Sequence, residues 1–168
     1  MDEKNSSQEF VISRVFDAPR DLVWRAFTEQ KHMQHWWGPK GVTIGNANLD
    51  LRPGGTFHYS MQLPDGSFWW GKFVYREITP QSRIVFTSSF SDEHGNVTRH
   101  PMAPTWPLQM LSIVTFEDVD GKTKFTANWS PFEANETEQA TFVAGFPSMN
   151  QGWGGTLDKF NAYLATQR

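Results

Sequence analysis

Large apolar side chains recur at Phe142, Phe146, Met149, Trp153, Leu157, Phe160 and Leu164, in steps of four, three, four, four, three and four. At helical periodicity that spacing lays all of them along one face. No other segment carries so long a helical stripe, and residues 43–131 read instead as strand and turn. The chain must therefore press one long helix onto a sheet, and a stripe this bulky either fills a core or lines a cavity. The helix is expected to open on a capping box, Asn135 with Glu138. Gly145-Phe146-Pro147 should kink it or divide it into two segments in line. Leu157, Phe160 and Leu164 read as the anchor that seats the helix. Phe142, Phe146 and Met149, around Pro147, read as the end facing a cavity, with the kink as its entrance.

Strand signals fill the middle of the chain. Residues 9–16 have strand composition, and Asp17-Ala18-Pro19 then starts a helix with Pro19 at its first position and Leu22, Val23, Ala26 and Phe27 buried. A second short helix over residues 30–36 ends before Gly38-Pro39. Residues 42–51, 56–63, 68–78, 83–90, 107–117 and 122–130 are the expected strands. Phe57, Tyr59 and Met61 alternate with His58, Ser60 and Gln62, so one face is buried and the other wet. Pro64-Asp65-Gly66 and Asp120-Gly121 are hairpin turns, and residues 91–106 form a long polar loop. The fold class that follows is α+β: a curved antiparallel sheet gripping the C-terminal helix, with two short helices after the first strand. One domain over residues 9–166 is expected, behind a flexible polar lead-in at residues 1–8.

Composition narrows the function by exclusion. The 168 residues carry a net charge of -3, with scattered basic residues, and this argues against nucleic acid as partner. The absence of cysteine removes thiolate metal sites and cysteine nucleophiles. No apolar run approaches a membrane span and no signal peptide is visible, so a cytoplasmic protein without membrane insertion is expected. What stands out is eight Trp, fourteen Phe and three Tyr. Trp needs a partner for its indole N–H when buried, so this content fits an aromatic core, a ligand cavity or an interface. A monomer or a homodimer is compatible with it.

The same residues follow the pattern of a known family. Asp17-Ala18-Pro19 with Val23-Trp24, Trp36-Trp37-Gly38-Pro39, Asp50-Leu51-Arg52-Pro53-Gly54-Gly55 and Leu63-Pro64-Asp65-Gly66 match it in order. So do Arg76-Glu77-Ile78 with Pro80, Arg83-Ile84-Val85, Gly152-Trp153 and Leu157-Asp158. The chain resembles the bacterial homologues of the activator of heat-shock protein 90 ATPase, within the START-like (SRPBCC, polyketide-cyclase and birch-pollen-allergen-like) superfamily. That resemblance implies a helix-grip fold, with a seven-stranded antiparallel sheet wrapped around the long C-terminal helix and a hydrophobic cavity between them. It implies binding of a small hydrophobic ligand, aromatic or lipid-like. A co-chaperone-like module with a chaperone partner is the alternative, and a polyketide-cyclase-like enzyme the second alternative.

The residues proposed to line the cavity are Phe57, Tyr59, Met61, Phe73, Tyr75, Phe86, Phe90 and Trp129 from the strands. Phe142, Phe146, Met149 and Trp153 face them from the helix, and Trp36, Trp37 and Trp106 stand near the mouth. Arg14 shares strand register with Ile12 and Phe16, and Glu77 with Phe73 and Tyr75. An Arg14–Glu77 pair could anchor a ligand's polar end, although a structural ion pair bracing the sheet is the better reading. His32 and His35 have helical spacing but no third ligand in register, so a solvated pair is favoured over a metal site. His94 and His100 belong to the surface loop, and His58 to the wet side of its strand. There is no Gly-x-Ser-x-Gly elbow, and Ser148 has no sequence-adjacent base. Gly152, Gly154 and Gly155 do not follow a strand as a phosphate loop does; they read as points of close helix–sheet approach. No catalytic residue, metal or cofactor is assigned. General acid–base work by Tyr59, Tyr75 or Glu77 is the only enzymatic chemistry the residues offer.

Overall fold

Alternating strands bring the apolar faces together around the C-terminal stripe. The computed structural model describes residues 9–167, so the lead-in expected at residues 1–8 lies outside the described residues. β1 (Phe10–Phe16) is followed by α1 (Arg20–Thr28) and α2 (Gln30–Trp36). Then come β2 (Thr43–Leu49), β3 (Thr56–Gln62), β4 (Phe68–Thr79), β5 (Arg83–Ser91), β6 (Val97–Thr98), β7 (Met110–Val119) and β8 (Lys122–Pro131). The last elements are α3 (Glu136–Ala144) and α4 (Phe146–Gln167). All pairings are antiparallel, in the order β1-β8-β7-β5-β4-β3-β2, with β6 added beside β5. This is the expected helix-grip, with β6 as an additional short strand.

β6 arises because the long loop is partly ordered by its own side chains. Asp92 Oδ1 accepts from the backbone N–H groups of His94 and Asn96, and Oδ2 accepts from the Asn96 side chain. This Asx arrangement turns the chain back, so that Val97 meets Ser91 and Thr98 meets Phe90. Lys72 Nζ donates to Gly95 O and the His58 ring bonds Asp92 O, pinning the turn against β3 and β4.

The stripe is divided where Pro147 stands. Proline in an unbroken helix would lack its N–H and clash with the preceding turn, so α3 stops at Ala144 and α4 begins at Phe146. The capping box at the start of α3 is present in both directions: Glu138 N–H donates to Asn135 Oδ1, and Asn135 N–H to Glu138 Oε1. Phe142, Met149, Trp153, Leu157, Phe160 and Leu164 are buried, while Phe146 packs edge-on against Phe10 and Phe142.

The side chain of Glu138 is buried beside Arg99, which also donates to the Trp106 carbonyl. The Arg99 hydrogen bond and the Asn135 N–H hold the Glu138 carboxyl below its usual value. A depressed folded-state pKa contributes stability above the ordinary carboxylate range, and that contribution is lost as pH falls below about 4.5 through the folded value. Thermal melts of wild type and Glu138→Gln between pH 2 and 6 should therefore converge on the acid side, with wild type the more stable at pH 6. Parallel curves would deny the carboxylate that role.

The expected Arg14–Glu77 pair does not form. Arg14 does lie on the inward face of β1, but its guanidinium meets Asp158 of α4 at 2.6 Å. Glu77 is exposed and pairs with Arg83 at 3.0 Å. The cause is a bulge in β4: Tyr75 sits opposite Phe86, yet Glu77 sits opposite Val85, so Arg76 is the extra residue. One inserted residue moves Glu77 from the inner to the outer face. Asp158 also meets Lys40 at 3.2 Å, and both cations hold its carboxyl below the usual carboxylate value. The pair thus braces α4 against β1.

Candidate ligand-binding site

A cavity of about 230 Å³ lies between the concave face of the sheet and the first turns of α4. Its sheet wall is built from Tyr59 and Met61 on β3, Gly71 and Phe73 on β4, Ser88, Ser89 and Phe90 on β5, Met110 on β7 and Trp129 on β8. Met149, Gly152, Trp153 and Thr156 supply the helix wall, and Trp37, Gly38 and Pro39 the side. Strand alternation explains the sheet set apart from Ser89, which follows Ser88 directly: Tyr59 faces the same way as Phe57, and Phe73 the same way as Tyr75. Helical spacing explains the α4 set, since Met149, Gly152, Trp153 and Thr156 are three, one and three residues apart.

The aromatic walls are mutually braced. Trp37 stands edge-on to Phe73 at 5.4 Å and to Trp153 at 5.8 Å, and Trp129 stands edge-on to Trp153 at 5.3 Å. These ring pairs fix the wall positions by packing. Gly71 is the thin point of the sheet wall, directly opposite Tyr59. A Cβ at Gly71 would fall 2.4 Å from the Tyr59 ring, so only glycine lets that ring lie across β4. Gly71→Ala should therefore displace Tyr59 and destabilise the protein by about 1–3 kcal/mol, the usual cost of overpacking. Urea denaturation checks this, and an unchanged midpoint would show that the Tyr59 ring is free to move.

The charge state of the site follows from burial. The Tyr59 phenol is pushed up to about 12 by burial, partly opposed by the indole N–H of Trp37, which donates to it. Burial also raises Tyr75. Both phenols are therefore protonated near neutral pH, and neither is a general base there. With Glu77 on the outer face, the acid–base set Tyr59, Tyr75 and Glu77 is not assembled in the cavity.

Of the expected lining residues, Trp37, Tyr59, Met61, Phe73, Phe90, Trp129, Met149 and Trp153 come together around this space. Phe57, Tyr75, Phe86 and Phe142 are buried in the core instead, where Phe86 stacks on Phe73 at 4.3 Å. Trp36 is likewise core: its ring lies on Phe160 with centroids 3.8 Å apart. Beside the Pro147 kink, Phe146 turns to Phe10, and Trp106 lies against Phe142 at a second hollow with His100, Gly145 and Ser148, which shares Met149 with the cavity. Sequence reasoning missed Gly38, Pro39, Gly71, Ser88, Ser89, Met110, Gly152 and Thr156. For Ser88 the signal was present, since it alternates in register between Phe86 and Phe90.

The remaining candidates take structural roles. His32 is buried rather than solvated, with Nδ1 2.6 Å from the Tyr163 hydroxyl, and His35 stacks on the same ring. Among the described residues no group of His, Cys, Asp and Glu could hold a metal ion. A Cβ at Gly152 or Gly154 would meet nothing within 4 Å, so neither marks a close helix–sheet approach, while Gly155 faces Lys40. Among the described residues, no helix is long and apolar enough to cross a membrane.

Comparisons with known proteins agree with this architecture. A Nitrosomonas europaea protein of known structure superposes with a TM-score of 0.76 at 24% identity, covering 97% of each chain. An Arthrobacter aurescens protein gives 0.77 at 25% identity, covering 96% of this chain and 88% of its own. The AHSA1 protein from Silicibacter pomeroyi gives 0.72 at 17% identity, over 95% and 99%. Among curated proteins, none is significantly similar in sequence. The profile of the family "Activator of Hsp90 ATPase homolog 1-like protein" matches residues 17–165. With that match spanning nearly all of the sheet and the whole gripping helix, the chain belongs to the family of Activator of Hsp90 ATPase homolog 1-like proteins.

Proposed function

We propose that the protein binds a small, compact, largely aromatic molecule in the cavity between the sheet and α4. One observation carries the reading: a space of about 230 Å³ remains open among Trp37, Tyr59, Phe73, Trp129 and Trp153 although each ring is braced by another. That volume lies between the ~150 Å³ that accommodates benzene and the ~300 Å³ at which drug-sized pockets begin. A molecule of one or two rings fits this range better than a lipid chain. The less buried lining residues, Pro39, Met61, Ser89, Phe90, Trp129 and Gly152, mark its rim. Tyr59 and Tyr75, held protonated, support binding over base catalysis.

Native mass spectrometry of protein purified from its own host, combined with titration of naphthalene against tryptophan fluorescence, tests the reading. A co-purifying small molecule, or saturable quenching by naphthalene, is the expected result. No co-purified mass together with no saturation up to the solubility limit would refute it. The family match favours one second reading, a co-chaperone-like module that docks on a chaperone ATPase. It predicts a complex with purified chaperone and altered ATP turnover, and absence of both dismisses it.

A further inference from the structure

Several buried hydroxyls elsewhere in the protein have partners. Ser60 Oγ accepts from Asn46 N–H, Thr123 Oγ1 donates to Ala18 O, and Thr28 Oγ1 donates to Trp24 O. Among the described residues, four buried side-chain polar atoms have no hydrogen-bond partner: His32 Nε2 stands apart on α2, whereas Ser88 Oγ, Ser112 Oγ and Trp129 Nε1 cluster on the inner face of the sheet. They are neighbours by register. Ser112 on β7 sits directly opposite both Trp129 on β8 and Phe86 on β5, and Ser88 lies one inward position further along β5, opposite Met110. Ser88 and Trp129 line the cavity, and Ser112, fully buried, stands between their strands.

An orphaned buried polar group costs about 1–3 kcal/mol, so three on one patch are a sizeable standing penalty. A ligand group that bonds to them relieves it. The indole N–H can only donate, while serine hydroxyls donate or accept, so the group that satisfies the patch is an acceptor. Charge is settled by the same wall. No Asp, Glu, Lys, Arg or His lines the cavity among the described residues, so an ionised ligand would be desolvated without a counter-ion.

We infer that the cavity selects a neutral aromatic ketone or similar carbonyl compound, whose oxygen seats against Ser88 and Trp129 while its rings lie among Tyr59, Phe73 and Trp153. This inference rests on the binding reading above and assigns the ligand its chemical class.

A matched set of probes tests it on the full chain by calorimetric or fluorescence titration: 1-tetralone, the same scaffold without oxygen (tetralin), and the anion 1-naphthoate. The expected order is tetralone tighter than tetralin by about 5- to 10-fold, the factor that one neutral hydrogen bond supplies, and naphthoate weakest. Ser88→Ala combined with Trp129→Phe should bring the ratio of tetralone to tetralin affinity to about one, whatever the change in tetralin affinity itself, with circular dichroism confirming the fold. Ser88→Ala alone should leave the melting temperature equal or higher, because it deletes an orphan group; a clear drop would show that the hydroxyl is already satisfied and overturn the inference. Equal affinities for tetralone and tetralin, or tightest binding of naphthoate, would also overturn it while the cavity reading stands. Failure of all three probes to bind would overturn the inference, and together with no co-purified mass and no naphthalene saturation it would remove the cavity reading as well.

Discussion

Trp36→Ala should lower the free energy of unfolding by about 3–5 kcal/mol, the range for removing a large buried aromatic side chain. Only 1% of Trp36 is exposed, and its ring lies nearly parallel to Phe160, with centroids 3.8 Å apart and planes 3° from each other. Phe27 and Trp37 close on it from two other sides. The indole also has a polar task. Its N–H donates to Ala26 O at 2.9 Å, one of the carbonyls that the end of α1 leaves without an intrahelical partner. Truncation therefore opens a cavity between α2 and α4 and orphans a buried carbonyl together. Typical domains are stable by about 5–15 kcal/mol, so the loss is a large share of the total. Trp36→Phe should separate the two effects, keeping most of the stack while losing the hydrogen bond, with a cost of about 1 kcal/mol beyond the lost area. Urea denaturation of both variants measures this. If the alanine variant lost under 1 kcal/mol, the α2–α4 stack would not be a principal support of the grip. Ligand affinity should change little in folded Trp36→Phe, because Trp36 does not line the cavity.

Gly152→Leu should have the opposite profile: weaker binding by about 100-fold, near 2.7 kcal/mol, with no loss of stability. Gly152 lines the cavity and a Cβ there would meet nothing within 4 Å, so a leucine side chain enters space that the ligand would occupy. Glycine in a helix interior costs about 1 kcal/mol relative to alanine, and leucine is nearly as good a helix former. The substitution should thus stiffen α4 while filling the site. Titration with naphthalene and a thermal melt, run on the same sample, check both halves. Unchanged binding would move the ligand away from α4, and a lower melting temperature would mean that the space is already occupied by packed side chains.

The two variants also mark what the chain's letters could and could not convey. Periodicity identified the sheet faces and the gripping helix because burial on one side imposes it directly. Phe57 and Tyr59 face inward on either side of outward His58, and Leu157 to Leu164 follow helical steps. The lining set was legible only in part. Trp36 and Trp37 are adjacent, yet Trp36 ends α2 while Trp37 is already extended at its C-cap, so their rings diverge to core and cavity. Ser88 shares the inward register of Phe86 and Phe90 and was legible in the sequence. The inward register of Ser112 became plain only when Phe86 and Trp129 flanked it across the ladder. Glu77 was misplaced by one inserted residue, and a bulge leaves no mark in composition.

By itself, the sequence determined the class of the fold. A long apolar stripe can be buried only by a surface of matching length, and the alternating strands supply one. It also excluded thiol chemistry through the absence of cysteine. The tertiary structure decided which end of the stripe packs solid and which stands open. Leu157, Phe160 and Leu164 close on the core, whereas Met149, Gly152 and Trp153 face space. That division depends on how the bulged, paired sheet curves beneath the helix, and curvature is a property of the assembled ladder and not of any one strand.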